Sequence, residues 1–322
     1  MKADASIRHQ EVYPLERNVL SKIKTIVVHD SCPDGMASAV LLHDAIPDAR
    51  VVFAQHGSDD YSGMQAEPGM LFCDLVPPPE RASEFLQAGA VVLDHHVKVK
   101  NVVEKFGPRG RFGDGVSGAL LAFQYVWNPL RGGTTDNQTS KNARQFAELA
   151  SVRDCWERED PRWTQACSQA SALMFYDTTD WLDWQEPFLP SCQAKMAEML
   201  RVGAISHANK LRGVTRSVDG AYWTRTGRGH QVVIINGGSI SDVADAIGER
   251  ADVVMSFNYA VEDGKLSIRV SIRSHRKVDV GSVAVRFGGG GHQKAAGFRL
   301  VVDGLNTDPY KLLVSKLEEA DL

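Results

Sequence analysis

The sequence predicts an α/β protein of two domains: a parallel-sheet domain followed by a smaller domain with a mixed sheet, and a cleft between them. Two patterns predict this class. Short, fully apolar runs alternate with helical patterns in the first half, and after residue 220 the strand patterns become half-polar. The length of 322 residues is sufficient for two hydrophobic cores.

In the first part, the apolar runs predict strands and the segments between them predict helices. Strands are expected at 25–29, 51–54, 70–74 and 90–94, and helices at 36–45, 79–88, 117–127 and 141–153. Short buried strands joined by helices of about ten residues are typical of βαβ units and of a parallel sheet. The segment 107–115 is rich in glycine and basic residues and is predicted to be a loop.

The later part predicts a long helix and then a second domain. The helix covers 193–211 within a connector at 191–214, which separates domains at 1–190 and 215–322. Strands are predicted at 221–226, 231–236, 253–260, 266–273 and 297–302, and helices at 240–250, 278–286 and 308–319. Residues 266–273 alternate apolar and polar, which indicates one buried face.

Composition is that of a cytoplasmic globular protein. Hydrophobic residues make up 43% and charged residues 24% of the chain. We find neither an apolar run of membrane-spanning length nor the basic start and apolar stretch of a signal peptide. The five cysteines form no Cys-x-x-Cys pair, which argues against a disulfide framework and a cysteine-rich zinc site. A net charge of −4 argues against coating of long nucleic acids.

Metal-ligand residue types follow several apolar runs. Asp94, His95 and His96 end the run at 91–93, and His29 and Asp74 end two earlier runs. Asp154 ends an apolar-periodic helical segment. The carboxyl ends of parallel strands meet at one edge of a sheet, where such folds place their chemistry. Histidine and aspartate together suit Mn²⁺ or a similar divalent ion.

Each of these residues also has a structural interpretation. Taken alone, His29 could be a core histidine, Asp34 a helix cap, Asp74 a turn former before a proline run, and Asp154 an exposed helix acid. The Asp-His-His triplet is harder to explain in this way. Consecutive side chains of an extended segment point in opposite directions, so one histidine can bind metal while the other faces a substrate.

A glycine run in the second part predicts an anion site. Gly288 to Gly291 precede His292, and glycines let backbone N–H groups approach an anion closely. A helix starting at Gln293 would add its positive end, whereas the alternative is a flexible loop. Arg273 and His275, at the end of the half-polar strand, could reach the same anion.

Together these motifs resemble the DHH phosphoesterase family with a C-terminal DHHA1 domain. Asp94-His95-His96 is the triplet that names the family, and the other motifs follow its order: His29 with Asp34, then Asp74, then Asp154. The glycine run with His292, and Arg273-Ser274 upstream, resemble the DHHA1 signature. The resemblance covers roughly residues 20–160 and 215–305.

The resemblance implies hydrolysis of phosphoester or phosphoanhydride bonds with two Mn²⁺ or Mg²⁺ ions. It implies that Asp74 bridges the ions, that His29 binds one, and that His95 and Asp154 bind the other. His96 would contact the scissile phosphate and Asp94 would support it. The residues implied to bind the nucleotide or terminal phosphate of the substrate are Arg273, Ser274, Gly289, Gly290, Gly291 and His292.

The first motif departs from the family pattern. Family members usually carry a second carboxylate two positions from the one that Asp34 matches, but those positions hold Cys32 and Met36. Either Asp30 substitutes as a ligand, or Cys32 contributes, or one metal site is weak.

The expected activity is a manganese-dependent phosphodiesterase acting on short oligonucleotides (nanoRNA), linear dinucleotides or 3′-phosphoadenosine 5′-phosphate. Alternatives are a cyclic-dinucleotide phosphodiesterase, a single-strand exonuclease, or a non-catalytic nucleotide-binding protein with an impaired metal site. The sequence leaves a homodimer open. Four tryptophans could stack bases, although core packing is the favoured interpretation: Trp156, Trp163, Trp181 and Trp184.

Overall fold

A computed structural model describes residues 14–132, 137–262, 264–275 and 278–322. The chain separates into two compact units, and the boundary lies between His207 and Ala208. The N-terminal segment on which the absence of a signal peptide was predicted, residues 1–13, lies outside the described residues. Within the described ranges, no helix combines the length and apolar character needed to cross a bilayer.

The N-terminal unit contains a sheet of five parallel strands in the order β2-β1-β3-β4-β5. The strands are β1 (Thr25–His29), β2 (Arg50–Ala54), β3 (Met70–Cys73), β4 (Val91–Asp94) and β5 (Gly110–Phe112). Strands β3 and β4 are buried along their whole length, because apolar clusters cover both faces of the sheet. This confirms the predicted parallel sheet.

Eleven α-helices among the described residues lie in or extend from the N-terminal unit. They are α1 (Arg17–Leu20), α2 (Pro33–Ala45), α3 (Asp59–Ser62), α4 (Ala82–Gln87), α5 (Lys100–Lys105), α6 (Gly118–Ala122), α7 (Asn128–Arg131), α8 (Gln138–Asp154), α9 (Trp163–Phe175), α10 (Thr178–Leu182) and α11 (Gln193–Asp219). A π-helical stretch, Phe123–Trp127, joins α6 to α7. The unit boundary lies within α11.

The loop predicted at 107–115 is partly wrong, because this segment contains the edge strand β5. Its residues pair with β4, with Phe112 opposite Asp94. Gly110 permits the pairing, since a Cβ there would lie 2.2 Å from the carbonyl oxygen of Val103. A strand of three residues is too short to show an apolar period in the sequence.

The C-terminal unit contains a mixed sheet of six strands in the order β10-β11-β9-β8-β7-β6. The strands are β6 (Tyr222–Arg225), β7 (Gln231–Asn236), β8 (Val253–Glu262), β9 (Lys265–Arg273), β10 (Gly290–His292) and β11 (Ala295–Val301). Only β7 and β8 are parallel neighbours among these strands. The helices are α12 (Ile240–Ile247), α13 (Val280–Arg286) and α14 (Pro309–Glu319).

The prediction of a helix starting at Gln293 was wrong, because the glycine run forms a β-hairpin. Strands β10 and β11 pair in antiparallel register, with His292 opposite Ala295. A Cβ at Gly289 would lie 2.1 Å from the carbonyl oxygen of Gly297, and one at Gly291 would lie 2.5 Å from that of Ala295. The glycines therefore allow close approach of the two backbones.

Candidate metal centre

The ends of three neighbouring strands bring the site together. Strand β1 ends at His29, Asp74 follows β3, and His95 follows β4. These strands are adjacent in the order β1-β3-β4, so their carboxyl ends lie side by side. The site lies where open α/β sheets place their chemistry.

The side chains at this edge form three groups that could hold metal ions. In each group the ligand atoms lie within 4.8 Å of one another. The groups are His29–Cys32–Asp74, Asp74–His95–His96 and Asp34–His95–Asp154. Asp74 belongs to the first two groups and His95 to the last two, so the three form one continuous centre.

Asp74 lies at the middle of the centre and is 1% exposed. Its Oδ1 is 3.1 Å from Nε2 of His95, and its Oδ2 is 3.7 Å from Nδ1 of His29. Oδ2 has no hydrogen-bond partner among the residues that the structure describes. Burial alone would raise the pKa of Asp74, but His29 and His95 hold it below its usual range. A buried, ionised oxygen without a donor fits a cation.

Asp74 also has a left-handed backbone, with φ of 58°. Its backbone N–H donates to the carbonyl of Leu93 on the neighbouring strand. Aspartate tolerates this conformation better than most residues, yet it remains uncommon outside glycine. Strained backbone of this kind is concentrated at functional sites, which agrees with the central place of Asp74.

Asp34 is 2% exposed in the first turn of α2. Its carboxylate accepts hydrogen bonds from the backbone N–H groups of Gly118 at 2.7 Å and Ala119 at 3.0 Å. Burial, together with the charges of Asp74 and Asp154, raises the pKa of Asp34 well above its usual value. Sequence reasoning missed the contribution of α6, since backbone donors leave no side-chain signal.

His95 faces three carboxylates. Its Nε2 lies 3.1 Å from Asp74, 3.5 Å from Asp154 and 3.7 Å from Asp34. Burial alone would lower its pKa, but the contact with Asp74 and the charges of Asp34 and Asp154 raise the pKa of His95 to about 9. Burial raises the pKa of Asp154 as well. Three crowded carboxylates favour positive charge here, which a divalent ion would supply.

Asp94 orients His96. One oxygen of Asp94 accepts the backbone N–H of His96 at 2.7 Å and lies 2.9 Å from its Nδ1. This contact raises the pKa of His96. Asp94 is 1% exposed, whereas the His96 side chain is half exposed. The pair therefore presents a fixed imidazole ring to solvent beside the centre.

The loop between β1 and α2 decides which of its residues reach the centre. Cys32 is extended, with φ of −125° and ψ of 130°, as expected before Pro33. Cys32 joins His29 and Asp74, whereas Asp30 is exposed and accepts the N–H of Ser31. Asp30 therefore lies outside the three groups that the described residues form.

Two features beside the centre were not predicted. His56 lies two residues after β2, with its ring 5.9 Å from that of His29, and burial and His29 lower its pKa. Its position after a strand is the signal that could have found it. A cavity of about 190 Å³ borders Asp34 and Asp154 and is lined by Trp156, with the Arg153 guanidinium 4.1 Å from its ring centroid.

The four tryptophans divide between two environments. Trp181 is 1% exposed in the apolar core, and Trp184 packs against that core. Trp156 lines the cavity, and its ring centroid is 5.5 Å from that of Trp163. Core packing thus describes Trp181 and Trp184, whereas Trp156 borders the candidate centre.

In the C-terminal unit, Arg273 and His292 lie in one row across the sheet. Arg273 pairs with Ala295, which pairs with His292, and residues in register share a face. In the next row on this face, Gly297 lies between Ser271 and Gly290. The two side chains therefore flank a surface of small residues.

The remaining predicted residues of this unit differ in surroundings. The buried Ser274 donates its backbone N–H to the carbonyl of Lys294. His275 has a buried Nε2 without a hydrogen-bond partner among the described residues. Burial lowers the pKa of Arg273, whose Nε donates to Ser241 Oγ at 3.3 Å. Nothing lies within 4 Å of a Cβ placed on Gly290.

Comparison with known proteins gives one family match and several similar folds. Residues 230–313 match the DHHA1 domain family. Among solved structures, the DHH domain of a protein described as a member of a family of ribosomal proteins has a TM-score of 0.57 at 11% identity, covering 94% of this chain and 88% of that chain. None of the curated protein sequences matches this chain.

Two further solved structures are similar at lower TM-scores. A pGpG-specific phosphodiesterase, PggH, from Vibrio cholerae has a TM-score of 0.46 at 13% identity, covering 92% of this chain and 99% of its own. An exopolyphosphatase-related protein from Bacteroides fragilis has a TM-score of 0.44 at 14% identity, covering 94% of this chain and 93% of its own.

Proposed function

Because its C-terminal unit contains a DHHA1 domain and its fold is that of a DHH-domain protein, we propose that this chain is a metal-dependent phosphodiesterase of short oligonucleotides and small nucleotides. The observation that carries the proposal is the position of Asp74. One of its oxygens faces His95 and the other faces His29. Asp74 is thus placed to bridge two metal sites.

The donor sets fit two divalent cations. His29 and Asp74 would hold one ion, and Asp74, His95, Asp34 and Asp154 surround a place for the other. Oxygen and nitrogen donors of this kind suit Mn²⁺ or Mg²⁺. When bound, such ions stabilise charge on phosphoryl oxygens and make water a stronger nucleophile. The crowded carboxylates of the N-terminal unit would be neutralised at the same time.

The residues of the chain have separate roles in this proposal. Asp94 holds Nδ1 of His96, so that the half-exposed ring can donate from Nε2 to an oxygen of the scissile phosphate. The contact with Asp94 raises the pKa of His96 and favours the imidazolium, in which both nitrogens donate.

The C-terminal unit would bind the nucleotide part of the substrate. Arg273 and His292 supply donors on one face of the sheet, and the small residues between them leave room for a phosphate or a base. A substrate with few phosphates suits this surface, because it offers two polar side chains rather than an extended basic groove. This argues for short substrates over long single strands.

The test is a substrate panel in Mn²⁺. It contains end-labelled RNA and DNA from two residues upward, 3′-phosphoadenosine 5′-phosphate, and cyclic dinucleotides. We expect turnover of the shortest linear substrates, and a loss of roughly 100-fold or more in Asp74→Asn, which keeps the shape of the side chain but removes its charge. Asp48→Asn, an exposed acid before β2, is the matched control.

Two outcomes would contradict the proposal. Nucleotide binding without turnover of any substrate would favour a non-catalytic nucleotide-binding protein. Cleavage of long single strands as fast as dimers would favour an exonuclease. Turnover of cyclic dinucleotides in preference to linear ones would change the substrate but keep the role of Asp74.

A further inference from the structure

We infer that Cys32 is a metal ligand, so that His29, Cys32 and Asp74 form a thiolate-containing site that prefers softer cations than the neighbouring carboxylate site. This rests on the proposed function, because it concerns the same centre. The two sites would then hold different metals: Zn²⁺, Co²⁺ or Fe²⁺ beside Cys32, and Mn²⁺ or Mg²⁺ beside Asp34 and Asp154.

The first support is the geometry of the three side chains. Their ligand atoms lie within 4.8 Å of one another, and the His29 nitrogen is 3.7 Å from the Asp74 oxygen. Ligands at about 2.0–2.3 Å from a shared tetrahedral cation lie roughly 3–4 Å apart. The group can therefore close on one ion with small side-chain movements.

The second support is independent of the cysteine. Asp74 Oδ2, the oxygen on the His29 side, is buried and finds no hydrogen-bond donor in the described part of the chain. Buried carboxylate oxygens are normally paired. An oxygen left without a donor beside an imidazole and a thiol marks a place for a cation.

The loop offers no other ligand that would take the place of Cys32. Asp30, the nearest carboxylate in sequence, is exposed and is bonded to the N–H of Ser31 at 2.7 Å. Pro33 favours the extended backbone of Cys32, with which Cys32 joins the group. The chain thus has a thiol where the family pattern has a second carboxylate.

The chemistry of sulfur decides the metal preference. Thiolates favour Zn²⁺, Co²⁺ and Fe²⁺ over Mn²⁺ and Mg²⁺, which prefer oxygen donors. The group of Asp34, His95 and Asp154 contains no sulfur and keeps the preference for the harder ions. Binding at the first site forms a sulfur–metal bond and releases the thiol proton of Cys32 to solvent.

The test is titration of the metal-free, full-length protein with Co²⁺, without oxygen and without added thiols. A thiolate ligand gives Co²⁺ an intense charge-transfer absorption in the near ultraviolet. We expect this band in the wild type, saturating at one ion per chain and removed by one equivalent of Zn²⁺. It should be absent in Cys32→Ser and Cys32→Asp, and unchanged in Cys192→Ser, a partly exposed cysteine outside the groups.

Cys32→Asp provides a second measurement if Cys32→Ser is unstable. It restores a carboxylate, so the affinity for Mn²⁺ should rise relative to that for Zn²⁺ by about 10-fold or more. Bound Co²⁺ without the band in the wild type, or a band that persists in both variants, would overturn the inference.

Turnover measured on the same samples separates this inference from the proposed function. Phosphodiesterase activity without a thiolate band would leave the function standing and reject Cys32 as a ligand. A thiolate band that depends on Cys32, without turnover of any substrate, would support the ligand and reject the phosphodiesterase.

Discussion

Gly118→Ala is the sharpest perturbation that the centre allows. A Cβ at this position would lie 2.7 Å from Cβ of Asp74 and 3.0 Å from Oδ2 of Asp34. Carbon atoms in favourable contact are about 3.5–4.0 Å apart, so the new methyl group is roughly 0.8 Å too close. Either α6 moves away from both carboxylates, or the carboxylates move.

Both responses weaken the centre. Forcing an extra methyl group into a packed interior costs about 1–3 kcal/mol. Displacing Gly118 also weakens its backbone N–H bond to the Asp34 carboxylate, and bonds to charged groups contribute about 1.5–3 kcal/mol. Because the two effects overlap, we expect a loss of about 2–4 kcal/mol in the free energy of unfolding. Mn²⁺ affinity should fall about 10–100-fold, as when a group that orients a ligand is removed.

Urea unfolding of the metal-free protein and calorimetric titration with Mn²⁺ measure these two quantities. Gly213→Ala is the control, since nothing lies within 4 Å of a Cβ at this position of α11. There the substitution should be neutral or stabilise the helix by up to about 1 kcal/mol. If Gly118→Ala unfolded at the wild-type urea concentration and bound Mn²⁺ with wild-type affinity, the contact of α6 with the carboxylates would be refuted.

Two further predictions concern the glycine run and the dependence on pH. Gly290→Ala should keep the melting temperature but raise KM, because a methyl group there meets no protein atom, whereas Gly289→Ala should lower the melting temperature; equal melting temperatures would contradict the hairpin. In the metal-free protein, the melting temperature should rise as the pH falls from about 9 to 6.5, since stabilisation by protonated His95 is lost as pH rises through its raised pKa of about 9. The raised pKa values of Asp34 and Asp154 act in the same direction, because their ionised forms destabilise the fold, and a flat or falling profile would contradict the clustered carboxylates.

The sequence predicted the strands that build the centre because they are fully apolar. The predicted runs 25–29, 70–74 and 90–94 correspond to β1, β3 and β4, to within one residue at each end. Such runs are buried on both faces, and their length separates them from the helices. Since polar residues follow them directly, the edge of the sheet that carries the centre could also be predicted.

Elements that depend on a partner strand could not be predicted in the same way. Strand β5 has three residues, and its place at the sheet edge depends on pairing with β4. The hairpin of β10 and β11 depends on the close approach of Gly289 and Gly291 to β11. A run of glycines carries no periodicity, so it fits a loop, a helix start or a strand equally well.

The sequence by itself determined the α/β class, the order of the motifs and the set of residue types at the strand ends, because these follow from local apolar patterns. Only the tertiary structure decided that Cys32 rather than Asp30 joins His29 and Asp74, and that α6 donates two backbone N–H groups to Asp34. The donors lie 84 and 85 residues after Asp34 along the chain. Contacts over such separations are set by how helices pack on the sheet, and no local pattern of side chains encodes them.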